Sequence, residues 1–148
     1  MTRRQRGFTL IELMVVVAII AIAAGVSSLA LRDADAKTLD QEAARLSALL
    51  ESARAQARAA GLPARFELAS AGNTDGAFRF VNLPPAVKMP TQWLDSRTSA
   101  EILGARALRL GPEPLIGAQR LVLRLAERNL TLATDGLGPF VVVETPRP

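Results

Sequence analysis

The sequence has no cysteine and no histidine. The first absence excludes a disulfide framework and any thiolate metal site, and it leaves the redox compartment unreadable from cysteine usage. The second removes most metal and nucleophile-base chemistry, because a Ser or Thr hydroxyl would have to rely on Lys or a carboxylate for activation. Net positive charge is scarce on most of the chain. The formal net charge is +4, but three of the 18 basic residues, Arg3, Arg4 and Arg6, precede Gly7 and leave 15 basic against 14 acidic residues beyond it. A nucleic-acid surface gathers positive charge on the folded domain, so nucleic acid is not expected as a partner.

What is present is a long apolar start. With 148 residues, 49% hydrophobic and 22% charged, the chain can supply one domain core and a membrane segment as well. No charged residue occurs in 13–31, and that run as a helix reaches roughly 28 Å, close to the hydrocarbon thickness of a bilayer. Three arginines precede it, whereas Arg32, Asp33, Asp35 and Lys37 after it carry no net charge, which puts the N-terminus in the cytoplasm and the remainder outside. An ordinary secretory signal has the same outline, with Ala21-Ile22-Ala23 or Ser28-Leu29-Ala30 as a cleavage site. It gives no reason for Glu12, a carboxylate inside the apolar run that costs about 2.5 to 3.5 kcal/mol in a bilayer helix.

"RGFTLIELMVVVAIIAIAA" is similar to the leader junction of type IV pilins and type II secretion pseudopilins: basic residues, Gly7, Phe8, Thr9-Leu10, Glu12, then an unbroken apolar helix. The resemblance implies that a membrane-embedded prepilin peptidase cuts after Gly7 and methylates the new N-terminus, Phe8. Glycine suits the cut, since an extended backbone without a side chain fits the scissile position. It also gives Glu12 a partner, because the amine of Phe8 in a neighbouring subunit can pair with it and set the register between helices. The alternative for Glu12 is a solvated acid at the cytoplasmic interface.

Beyond the short polar break at 32–38, Leu39, Ala43, Leu46, Leu50, Ala53, Ala57 and Ala60 recur at spacings of 4 and 3, one apolar stripe of a helix. Glu42, Arg45, Glu51, Arg54 and Arg58 fall off the stripe and are expected to form a solvated face with i,i+3 pairs such as Glu42 with Arg45. Gly61 followed by Leu62-Pro63 stops the helix, and no proline interrupts 8–60. From Ala64 the period becomes 2. "ARFEL" and "FRFVN" read as a hairpin around "SAGNTDG", and 121–125, 130–134 and 140–143 as a meander with a turn at Asp135-Gly136. A further strand is expected at 108–110, an irregular excursion between Pro84 and Arg97, and 82–106 carries no assignable pattern.

The fold class expected is α+β, with a long N-terminal helix packed on a C-terminal antiparallel β-sheet or β-sandwich domain of pilin-like type. Its parts are a leader at 1–7, a transmembrane and assembly helix at 8–31, an amphipathic helix at 32–61 and the β domain at 62–148. The stretches 42–68 and 110–142 resemble the H-type minor pseudopilins of type II secretion, the GspH family, whose periplasmic part is a helix with a two-sheet β-sandwich. That resemblance implies a non-enzymatic subunit of the periplasmic pseudopilus, anchored in the bacterial inner membrane by one span. Its implied partners are the other minor pseudopilins of the tip complex, the major pseudopilin, the prepilin peptidase and the inner-membrane assembly platform. A minor pilin of a type IV pilus and a soluble periplasmic binding module are the alternatives.

No cofactor or metal is expected, because the acids other than Glu12 are scattered singly among basic residues. Asn73 and Asp75 in "GNTDG" offer one carboxylate where calcium takes six to eight oxygens. "GPEPLIG" and "DGLGP" lack the lysine of a phosphate loop and read as turns. Trp93, the single tryptophan, is either an anchor pinning a long loop to the sheet or a partner contact.

Overall fold

The computed structural model describes residues 9–69 and 76–143, with the side chains of 26–32 left outside the description. Among the described residues helix α1 (Leu10–Ala60) is followed by seven strands, β1 (Arg65–Leu68), β2 (Phe78–Val81), β3 (Ser99–Leu103), β4 (Ala107–Arg109), β5 (Gln119–Leu125), β6 (Arg128–Thr134) and β7 (Val141–Val143). The chain divides into two compact units, Met1–Ala34 and Asp35–Pro148, and α1 contributes to both.

In the second unit the helix packs with two antiparallel sheets, one in the order β2-β1-β4 and one in the order β3-β5-β6-β7. The stripe is the reason. Leu39, Ala43, Leu46, Leu50, Ala53 and Ala57 are all at most 1% exposed and share one core with Phe66, Phe78 and Leu108 of the first sheet and Leu121, Leu123, Leu125 and Leu132 of the second. Alternation along β5 puts those leucines inward and Arg120 and Arg124 outward, as a half-buried strand requires. Ala60, placed on the stripe by its spacing, is exposed, because the helix ends there. The end is a Schellman closure: Leu62 N–H donates to Ala57 O at 3.0 Å and Gly61 N–H to Arg58 O at 3.3 Å, with Gly61 at φ 64°, a conformation that glycine adopts without a Cβ clash.

The expected hairpin pairs β1 with β2 in the register Phe66↔Phe80, and the meander is β5, β6 and β7. The centre of the hairpin loop, 70–75, with Asn73 and Asp75, lies outside the described residues. Trp93 is the anchor of the excursion, packed on Phe78 with ring centroids 4.4 Å apart. The 82–106 stretch contains a strand that its sequence pattern does not announce. β3 is an edge strand held by pairing with β5, Ile102 opposite Leu121; its side chains alternate only between exposed and half-buried, Ala100 and Ile102 facing the core, so the alternation is short and shallow.

The largest correction concerns the charged face of α1. Arg58 is exposed and the Glu42–Arg45 pair forms at 2.7 Å, but Glu42 and Arg54 are 0% and 1% exposed. At 100° per residue Glu42 and Arg54 lie roughly 60° to either side of the stripe, and their partners Arg45 and Glu51 roughly 120°, on opposite flanks. On one flank the Glu42 carboxylate accepts the Leu94 N–H, and Arg45 donates to Gln92 O at 3.3 Å. On the other, Arg54 donates to Gly138 O at 2.7 Å, Gly136 O at 3.4 Å and Leu137 O at 3.5 Å. Glu51 pairs with Arg54 at 3.2 Å and accepts Phe140 N–H at 3.2 Å, while Ser47 donates to Phe140 O. Each flank therefore clips a loop through its backbone, and the buried charges are paired and hydrogen-bonded, which is the condition for burying them.

Arg54→Ala should remove the charged donor that the carbonyls of 136–138 share, leave the Glu51 carboxylate without its partner and cost about 2 to 3 kcal/mol, whereas Arg58→Ala should change stability by about 0.5 kcal/mol or less. Denaturant titration followed by Trp93 fluorescence measures both, and equal effects would contradict the distinction between the buried and the exposed arginine.

Candidate assembly segment at the N-terminus

Of the three residues that the sequence marks as functional, Gly7 and Phe8 lie outside the described residues. Glu12 sits in the first turn of α1. Its surroundings are a reciprocal cap. The Thr9 hydroxyl accepts the Glu12 N–H at 3.3 Å, the Glu12 carboxylate accepts the Thr9 N–H at 3.4 Å, and the Thr9 carbonyl takes the first helical bond from Leu13 N–H at 3.2 Å. Thr9 is thus the N-cap and Glu12 the N3 residue of a capping box. A negative carboxylate at this end also faces the positive end of the helix dipole. The T-x-x-E spacing in "TLIE" was the available signal for Thr9, a role that the apolar pattern alone does not reveal.

The cap explains how an acid is accommodated at the start of an apolar helix. Glu12 is exposed, its oxygen spent on backbone and hydroxyl donors of Thr9. Every described side chain from 10 to 25 is exposed as well, Leu10 at 77% and Ile22 at 68% among them. A continuous apolar surface of this kind requires a nonaqueous neighbour, either lipid or other apolar chains.

Among the described residues no helix is long and apolar enough to cross a membrane. The described side chains of the apolar run end at Gly25, and 10–25 spans roughly 24 Å, short of the ~30 Å hydrocarbon layer. What the structure supplies for the span expected over 8–31 is therefore an exposed apolar helix over part of its length. Among the described residues no three His, Cys, Asp or Glu side chains are grouped to hold a metal.

Residues 2–28 match the family model described as the prokaryotic N-terminal methylation motif. No curated protein and no solved structure matches the chain. The matched stretch takes in Gly7, Phe8, the Thr9–Glu12 cap and most of the apolar run, and it ends before the second unit begins at Asp35. The chain thus carries a prepilin-type N-terminal methylation motif, which supports a place in the type IV pilin and pseudopilin superfamily and a membrane-associated N-terminus.

Thr9→Ala should remove the cap and lower the stability of the first turn by about 1 kcal/mol, whereas Thr9→Ser should retain it. Hydrogen exchange of the full chain in micelles reads this directly: the amides of 10–13 should exchange about fivefold faster in Thr9→Ala, and unchanged rates would show that the box contributes nothing.

Proposed function

We propose that this protein is a structural, non-enzymatic filament subunit, an H-type minor pseudopilin at or near the tip of the periplasmic pseudopilus of a type II secretion system. The observation that carries the reading is the methylation motif over residues 2–28, because it joins a cleavable leader to an apolar helix with an acid in its first turn. The finer assignment is supported by the resemblance of 42–68 and 110–142 and by a second unit in which one helix packs with a three-stranded and a four-stranded antiparallel sheet.

On this reading the prepilin peptidase removes 1–7 after Gly7 and methylates Phe8. The helix from 8 to about 31 anchors the subunit in the inner membrane with its N-terminus in the cytoplasm, and the unit Asp35–Pro148 stands in the periplasm. Before assembly the Glu12 carboxylate is satisfied by Thr9. During assembly the Phe8 ammonium of a neighbouring subunit pairs with Glu12 as the two apolar helices come together, and burial makes that pair selective for one register. The recruiting partners are the other minor pseudopilins and the major pseudopilin, brought together by the inner-membrane platform, and the filament moves folded proteins toward the outer membrane.

Glutamine can serve in a capping box in place of glutamate, so Glu12→Gln separates the charge from the cap. It should insert, be processed and retain the helical first turn, yet reduce filament entry and secretion in a strain lacking this protein by about tenfold or more. Glu12→Asp should be intermediate, and Thr9→Ala, which loses the cap and retains the charge, should assemble. Co-purification of the subunit with the other minor pseudopilins and quantification of the secreted proteins check this. Full secretion in the deletion strain, accompanied by lost pili or lost DNA uptake, would contradict the type II assignment and favour a type IV pilus.

A further inference from the structure

The capping box stands one residue from the bond between Gly7 and Phe8, and it determines where the helix begins. Its hydrogen bonds between Thr9 and Glu12 are exposed and long, 3.3 to 3.4 Å. Bonds of this kind add little to the whole of a 51-residue helix whose later stretch is buried in the core of the second unit. Their effect is on position. Thr9 is non-helical, Leu10 is the first helical residue, and the Thr9 carbonyl accepts the first helical bond from Leu13 N–H. The methylation motif over 2–28 takes in both the bond and the box.

The residues just before Thr9 offer no equivalent cap. The stretch 3–8 reads Arg-Arg-Gln-Arg-Gly-Phe and contains no Ser, Thr, Asp or Asn, so Gly7 is the one acceptable substitute in it. A helix capped at Gly7 would draw the Gly7 carbonyl into its first hydrogen bond, because the carbonyl of an N-cap residue is already a helical acceptor. That carbonyl is the one that hydrolysis after Gly7 has to attack. Fraying in the opposite direction, past Leu10, lets the bond wander relative to the helix that carries it, and a reacting bond held loosely reacts more slowly. Both departures are opposed by one reciprocal pair of side chains, Thr9 and Glu12.

We infer that the Thr9–Glu12 box is a positioning element for leader removal: it holds the helix start just beyond Phe8, so that the Gly7–Phe8 bond reaches the peptidase outside the helical ladder and at a constant distance from the helix. This role rests on the chain being a prepilin-type subunit, as proposed above. Hydrolysis adds one water across the Gly7–Phe8 amide, leaving a carboxylate on Gly7 and an amine on Phe8, and neither Thr9 nor Glu12 takes part in that exchange. Thr9 acts through the backbone that it places. Glu12 acts through an acceptor oxygen, which glutamine offers as well. On the proposed function the charge of Glu12 serves assembly, whereas its acceptor oxygen serves the cut.

The test measures the initial rate of leader removal from the full-length chain in membranes that contain the prepilin peptidase. Thr9→Ala and Thr9→Val, which lose the hydroxyl, should be cut about fivefold more slowly, with the loss in kcat and KM unchanged. Thr9→Ser and Glu12→Gln, which keep the box, should be cut within about twofold of the unsubstituted rate. Insertion of one alanine between Phe8 and Thr9 separates position from stability. It leaves the box and the amide exchange of the first turn intact, yet moves the helix start one residue further from the bond, and should also slow the cut about fivefold or more. Thr9→Ala or the insertion cut at the unsubstituted rate, or Thr9→Ser slowed as much as Thr9→Ala, would each overturn the inference and leave the prepilin reading in place. An unsubstituted chain that is not cut after Gly7 would overturn both.

Discussion

The second unit depends on one row of apolar side chains along α1 and on the two charged flanks that border it. Burial of Leu39, Leu46 and Leu50 contributes about 2 kcal/mol each, and the alanines at 43, 53 and 57 let the sheets approach closely. Apolar burial alone would place the helix under the sheets without fixing the loops at its sides. Glu42 and Arg54 do that, since each offers a buried charge to the main chain of one loop and is itself neutralised by a neighbour one turn away, Arg45 and Glu51. An isolated buried charge is costly and a paired, hydrogen-bonded one is selective for its geometry. The same two clips hold the main chain at 92–94 and at 136–138 against the helix, so the placing of both loops is a consequence of how the helix satisfies its charges.

The N-terminal segment follows the opposite logic. Its apolar side chains have no core to enter and are exposed along 10–25, and its single acid is compensated locally by the Thr9 cap. The segment can therefore exist as a stable helix start before any neighbour arrives, while remaining open to one. On the proposed function, assembly would replace a weak, exposed set of hydrogen bonds with a pairing in an apolar layer, where charge interactions are stronger. A helix that is self-sufficient at its end and unsatisfied along its sides is suited to insertion among like helices.

Much of this arrangement was legible from period and punctuation. The 4-and-3 spacing of the stripe, the Gly61-Leu62-Pro63 stop, the alternation around Phe66 and Phe80 and the Asp135-Gly136 turn each rest on local rules, and each reappears as a helix face, a Schellman closure, a paired hairpin or a loop. What was not legible depends on tertiary partners. Charges beside a stripe look solvated until a loop 52 or 84 residues away needs a donor or acceptor, as with Glu42 and Leu94 or Arg54 and Gly138. β3 alternates only between exposed and half-buried positions over five residues, too short and shallow a signal beside the contribution of the strand it joins. At the candidate site the apolar run and Glu12 were plain, whereas Thr9 required the cap to be read as a unit of four residues.

The intact mass of the protein purified from membranes tests the central claim, a prepilin-type subunit activated by cleavage at its leader. Cleavage after Gly7 and methylation of Phe8 predict the mass of residues 8–148 plus one methyl group, with the methyl on the N-terminal phenylalanine in the fragment spectrum. The mass of the uncut chain, or of a chain beginning just after Ala23 or Ala30, would contradict it.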